Sequence, residues 1–146
     1  MTASVVVKAP PTGVFALICA PERLPEWNVS VEKARRVKPD EPVRVGSRAV
    51  MTGRLLGQPL ESETEVVEFE APRVLCTRAV RGPRLVTRFT LEPQDDTTQV
   101  MIEVTGDVPG GIIGERLAEG FLRRELTASL QRLQVLGEAE GQETKA

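Results

Sequence analysis

Two absences bound the chemistry open to this chain: its 146 residues include no histidine and no tyrosine. The commonest general base, the usual transition-metal ligand, every histidine-dependent triad and the phenolic acid of many isomerases are removed together. Catalysis of any kind is left to Asp, Glu, Arg, Lys, Ser, Thr or Cys. Arg78 is the polar residue of most interest. It lies in Val74 to Arg81, where Cys76 and Arg78 share one face of an extended run and Leu75 and Ala79 the other, so an interior Arg78 is one expected outcome. An inward guanidinium must be paired, and a ligand carboxylate or enolate would pair it in bidentate fashion. The alternative is a surface arginine, snorkelling or bridged to Glu65 or Glu103. Glu103 is left open between an internal partner of Arg78, a proton carrier and a solvated carboxylate.

The remaining chemical motifs have plainer readings. Cys19 and Cys76 form no CxxC or metal-spaced cluster and read as small buried hydrophobes in a reduced protein. No metal or other cofactor is expected. Ser30-Val31-Glu32-Lys33 matches S-x-x-K literally, but its companion motifs are absent and it opens a predicted strand. Asp95-Asp96 beside Thr97 and Thr98 reads as a solvated hairpin tip. Gly110-Gly111-Ile112-Ile113-Gly114 lacks the GK[ST] ending of a phosphate loop and reads as a turn or hinge, with gating of ligand entry and an anion site as further readings. Met1 to Ser4 leads straight into a strand-like run with no basic region, so no signal peptide and a cytoplasmic location are expected, and the Asn28-Val29-Ser30 sequon is accidental.

The elements that must position these residues follow from periodicity. Ser4 to Lys8 reads as a strand halted by Pro10-Pro11, and Thr12 to Ala20 as a short helix carrying Val14, Phe15, Leu17 and Ile18. A second short turn runs through Glu22 to Glu26, closed by Trp27, the only tryptophan. From Ser30 to Asp107 the pattern alternates, with turn residues at 38–42, 57–59, 71–72, 82–83 and 93–97 marking about six antiparallel strands. In Leu60 to Val66 the acids Glu61, Glu63 and Glu65 share one face, which puts them in water and their neighbours inside. Beyond Val67 the acidic phase moves to Glu68 and Glu70, predicting a bulge. Leu85, Thr87, Phe89 and Leu91 should point inward, as should Val100, Ile102 and Val104, leaving Met101 outward.

The longest periodic segment is Ile113, Leu117, Phe121, Leu122, Leu126, Leu130, Leu133 and Leu136, an apolar stripe on a helix of about 24 residues and about 36 Å that Gly137 can end. Residues 1–138 then form one domain, and 139–146 a polar tail expected to be disordered. No run of about 18 apolar residues exists to span a bilayer. With 19 Lys+Arg against 21 Asp+Glu, no large basic field exists for nucleic acid or anionic lipid surfaces. One helix against a strongly twisted sheet cannot fill the whole concave side with thin apolar residues, so a cavity is expected between them.

The segment Val5-Val6-Val7-Lys8-Ala9-Pro10-Pro11 leading into Val14-Phe15-Ala16-Leu17-Ile18, then Ala20-Pro21-Glu22-Arg23-Leu24-Pro25-Glu26-Trp27-Asn28, resembles the opening of the START-like helix-grip (SRPBCC) superfamily, in its polyketide cyclase/dehydrase and lipid transport branch. Val45-Gly46-Ser47-Arg48, Glu70 to Leu75 and Arg88 to Pro93 resemble its mid-sheet landmarks, so the likeness runs from about Ala3 to Gly137. It implies an α+β fold: a seven-stranded antiparallel sheet around a long C-terminal helix, two short helices between the first strands, and a deep hydrophobic pocket. Members bind lipids, sterols or polyketides and some are cyclases or dehydratases, with no invariant catalytic residue to carry over. The resemblance places an aromatic at Trp27 near the pocket. Phe15, Met51, Phe69, Phe89, Ile102 and Phe121 are further ligand-lining expectations, with Arg78 as the polar anchor.

The first functional reading is therefore a carrier or sequestering protein for a small hydrophobic molecule. The second is a cyclase- or dehydratase-like enzyme in which Arg78 stabilises an enolate and Glu103 moves a proton, a scheme the shortage of bases opposes. A protein-interaction module of the same fold is the third, and a homodimer is left open.

Overall fold

The computed structural model describes residues 1–106 and 115–145. β1 (Thr2–Val7) is followed by α1 (Pro11–Cys19), a 3-10 turn at Pro21–Arg23 and α2 (Leu24–Trp27). Six strands follow: β2 (Val31–Arg36), β3 (Arg48–Leu55), β4 (Gln58–Glu70), β5 (Val74–Arg81), β6 (Leu85–Gln94) and β7 (Thr97–Gly106); α3 (Glu115–Lys145) comes last. The strands form one seven-stranded sheet in the order β1-β7-β6-β5-β4-β3-β2, with every neighbouring pair antiparallel. This is the helix-grip architecture, with two short helices before β2 and a long helix across the sheet. No helix among the described residues is long and apolar enough to cross a membrane.

Local sequence explains the elements that frame the interior. Pro11 opens α1, where its missing N–H would be unpaired in any case. Val14, Phe15, Leu17 and Ile18 bury one side of α1. In β4 the alternation sends Leu60, Ser62, Thr64 and Val66 inward and Glu61, Glu63 and Glu65 outward. The outward acids meet arginines of neighbouring strands: Glu61 with Arg81, Glu63 with Arg48, Glu65 with Arg78. The register with β5 shifts between Val66 and Glu68, the bulge anticipated from the acidic phase, and shifts again between Glu63 and Thr64. The extra residue is Val67 of β4 at the first shift and Val80 of β5 at the second, and the two bulges bend this strand pair so that the sheet curls around the helix.

The final helix departs from its expected form. It does not stop at Gly137 but continues to Lys145, and Gly137 and Gly141 lie inside it. The two glycines serve close approach instead of termination: a Cβ on Gly137 would sit 2.9 Å from Val7 Cγ1, and one on Gly141 would sit 3.0 Å from Ala9 Cβ. Segment 139–145 is thus helical, and Glu140 within it accepts hydrogen bonds from Arg23 at 2.8 and 3.1 Å. Phe121, expected in the apolar stripe, is 53% exposed, with the Arg124 guanidinium over its ring. The buried stripe is carried by Leu122, Leu130 and Leu133, with Leu126 half-buried, and Phe121 falls about 100° away from Leu122 around the helix. The glycine run 110–114 lies outside the described residues, as do the side chains of Ile113 and Leu117.

Candidate functional site

Between the inner faces of β3 to β6, α2 and the first half of α3 lies a cavity of about 200 Å³. Its apolar wall comes from period-two positions of the sheet, including Met51, Leu60, Val66, Leu75, Leu85 and Phe89. Leu122, Leu126 and Leu130 close it from the helix side. Trp27 stands at one edge, only 1% exposed. Its indole Nε1 donates to the Leu17 carbonyl at 3.3 Å and its ring meets Phe89 edge to face, centroids 6.0 Å apart. The short α2 thus holds a large aromatic in one orientation on the cavity wall.

The polar groups on the wall fall into two sets. Among the described residues the charged ones are all paired. Arg36 donates to Glu22 at 2.8 Å and to the Glu41 carbonyl at 3.3 Å, and Arg48 donates to Glu63 at 3.2 Å. The Glu125 carboxylate accepts from Ser30 Oγ at 2.9 Å and from the Leu56 backbone N–H at 3.2 Å, tying α3 to the α2–β2 link and to the β3–β4 hairpin. Three more serines are bonded: Ser47 Oγ accepts from the Arg44 N–H at 2.9 Å, Ser62 Oγ donates to the Arg81 carbonyl at 3.2 Å, and Ser129 Oγ accepts from the Val29 N–H at 3.0 Å. The other set is Thr64, Thr77 and Thr87, which line the cavity with no bonding partner among the described residues.

The expected ligand-lining residues divide in space. Trp27, Met51, Phe89 and Ile102 are on the cavity wall. Phe15 and Phe69 pack against each other in the core, ring centroids 5.7 Å apart, and neither is part of the wall. Phe121 is on the outer side of α3. Arg78 does not face the interior: its side chain is 57% exposed and donates to Glu65 at 3.2 Å. Leu75, Thr77 and Ala79 take the inward positions of β5, and period two leaves Arg78 outside opposite its register partner Glu65. Glu103 is also outward and exposed, opposite Arg88, which forms a two-pronged ion pair with Glu68.

The pairing holds the Glu68 carboxyl below its ordinary range, chiefly through the hydrogen bond from Arg88. Cys19 lines the cavity, and burial pushes its thiol up to about 12, so it is protonated at neutral pH. Cys76, buried on the other face of β5, is also raised, chiefly by burial. Both thiols are free. No group of three or more acidic or thiol side chains gathers among the described residues to hold a metal ion. Sequence reasoning missed Glu125, which sits on the edge of the helix stripe beside Leu126, and the three threonines as a group. Two of the threonines were legible, since Thr64 alternates with the outward acids and Thr87 shares the phase of Phe89.

A curled antiparallel sheet closed by one long helix over an apolar cavity defines a protein of the ligand-binding helix-grip class. The chain belongs to the polyketide cyclase/dehydrase and lipid transport family, whose sequence profile matches residues 1–138. No curated protein sequence matches it. Among solved structures it resembles TTHA0849 from Thermus thermophilus, with a TM-score of 0.80, 18% identity, and 96% and 97% of the two chains covered. A START superfamily protein from Mycobacterium smegmatis has a TM-score of 0.69 and 19% identity, covering 99% of this chain and 97% of that one. Ginseng major latex-like protein 151 from Panax ginseng has a TM-score of 0.72 and 11% identity, covering 94% and 95%. At these identities the likeness is one of fold.

Proposed function

We propose that the protein binds one small hydrophobic molecule in the cavity between sheet and α3 and acts as its carrier or sequestering protein. The observation that carries this reading is the cavity itself, whose wall is dominated by side chains such as Trp27, Met51, Leu75, Phe89, Ile102 and Leu126. Protein interiors pack to the density of organic crystals, and a void costs the contacts its lining atoms forgo. A ligand restores those contacts and removes its own apolar surface from water, at about 25 cal/mol per Å². Membership of a family described by cyclase, dehydrase and lipid transport activities supports the same reading. The two free thiols fit a reducing compartment such as the cytoplasm.

The enzyme alternative built on Arg78 and Glu103 has little support, because both side chains are on the outer face of the sheet, away from the cavity. Native mass spectrometry of freshly purified protein, followed by denaturing extraction, tests the carrier reading. A stoichiometric apolar adduct, or one acquired from a mixed lipophile library, is the expected result. Persistent absence of any adduct would overturn the reading.

A further inference from the structure

The face that β4, β5 and β6 present to the cavity carries a row of hydroxyls. Thr77 of β5 is the register partner of Thr87 of β6, while Thr64 of β4 is opposite Ala79, two residues along β5 from Thr77. All three are half-buried on the cavity wall. With strands about 4.8 Å apart, the row crosses about 10 Å of the floor.

Valine has nearly the same shape as threonine and suits a strand as well, so the hydroxyls bring nothing that the sheet needs. The buried hydroxyls elsewhere have structural work to explain them. Thr98 Oγ1, fully buried, donates to the Ala9 carbonyl at 2.7 Å, Ser62 Oγ to the Arg81 carbonyl at 3.2 Å, and Ser129 Oγ accepts from Val29. Thr64, Thr77 and Thr87 have no such partner among the described residues. Polar groups inside a mostly apolar site set which ligand it takes, because a hydroxyl covered by hydrocarbon loses its bonds to water without replacement.

Two further observations narrow the ligand. Arg36, Arg48 and Glu125, the charged residues that line the cavity among the described residues, already have partners, so the described wall presents no unpaired charge to an ionised head group. The volume of about 200 Å³ compares with the roughly 150 Å³ of an engineered cavity that holds benzene. A space of that size suits one or two rings.

We propose that Thr64, Thr77 and Thr87 are the specificity-determining residues of the cavity, selecting a neutral one- or two-ring hydrophobic molecule whose hydroxyl or carbonyl oxygens face the floor of β4 to β6. This inference rests on the cavity being a ligand site. The edge-to-face pair of Trp27 and Phe89 supplies an aromatic wall for such a ring.

Calorimetric titration of the full chain with naphthalene, naphthol and naphthalenediol tests it, on the wild type and on the triple variant T64V/T77V/T87V. Thermal melts run alongside establish that the variant is folded, and each single valine variant stands in if it is not. In the wild type the diol should bind about tenfold or more tighter than naphthalene, with naphthol between them. The triple variant should reverse that order, retaining naphthalene and losing the diol. Equal affinity ratios in the two proteins would overturn the threonine assignment while leaving the cavity as a ligand site. A four-ring steroid binding the wild type as tightly as the diol would overturn the size limit. Failure of every probe to bind the wild type would overturn the cavity reading, and this inference with it.

Discussion

The two ends of the contact between α3 and the sheet are built on opposite terms. Toward its C-terminus the helix lies directly on β1 and α1: Leu133, Val7 and Val14 are each 0% exposed, and Gly137 and Gly141 present bare backbone to Val7 and Ala9. Toward its N-terminal half the same helix offers Leu122, Leu126 and Leu130 to β3 to β6 across a gap. Here the packing of Leu122 and Leu130 is joined by polar ties at the rim, Glu125 to Ser30 and Leu56, and Ser129 to Val29. The difference teaches that the helix is anchored at one end so that the other can stand off. Stability is concentrated where the glycines let backbones close, and ligand space lies where bulkier residues hold them apart.

The largest effect that could break this comparison comes from trimming leucines along the helix. Leu133→Ala at the close-packed end should cost about 3 kcal/mol or more, since a fully enclosed site cannot collapse around the missing atoms. Leu126→Ala, on a wall that already borders open space, should cost less than half as much and weaken uptake of an apolar probe. Denaturant titrations of the two variants check this, and equal losses would mean that the two ends are packed alike.

A smaller change probes the glycine contact. An alanine at Gly137 gains helix propensity worth about 1 kcal/mol but drives its methyl against a fully buried valine, where overpacking costs about 1–3 kcal/mol. Gly137→Ala should therefore lower the melting temperature, whereas Gly120→Ala, with open space around its Cβ, should raise it. A stabilised Gly137→Ala would show that the helix does not need to approach β1 so closely.

Cys19 reports on the cavity end without disturbing its packing. Its thiol is raised to about 12 by burial, so alkylation by iodoacetamide at neutral pH should be far slower than for an exposed cysteine, and a bound probe should slow it further. Because the folded value is raised, the stabilising contribution is complete below the ordinary thiol range near 9 and disappears as pH rises toward 12. Urea midpoints of wild type and Cys19→Ser across that window measure it. Rapid labelling at pH 7 would mean that this edge of the cavity is open to water.

The smallest effects belong to the outer face. Arg78→Ala should change stability by no more than about 0.5 kcal/mol and leave probe affinity unchanged, because an exposed pair such as Arg78 with Glu65 contributes little. A loss of binding in that variant would mean that the outer face communicates with the cavity. The Glu68 carboxyl, held low by Arg88, adds stability that is present above its ordinary range and fades as pH falls through its lowered folded value.

Much of the fold was legible in the chain itself. The alternation of Leu60 to Val66 against its three glutamates placed the floor of β4 correctly, and the slip to Glu68 marked the bulge. Arg78 was not legible, because its strand has apolar residues on both faces: Leu75 inside and Cys76 outside are each buried. Glu125 reads as one more charge on a solvated helix edge, and only the hairpin folded against it reveals its two partners. Gly137 near the end of an apolar stripe has the look of a terminator, since the requirement it meets is imposed by a strand some 130 residues earlier.

What the sequence determined by itself was therefore periodic or compositional: which faces of β4, β6 and β7 turn inward, that one amphipathic helix follows an antiparallel sheet, and that no histidine or tyrosine is available to the site. These depend on spacing along the chain, and spacing is local. The tertiary structure decided the phase of β5, the outward turn of Phe121, the pinning of Glu125, the unpartnered row of Thr64, Thr77 and Thr87 among the described residues, and the size of the gap above them. Each of these depends on how far one element stands from another distant in the chain, a quantity set by long-range packing and register.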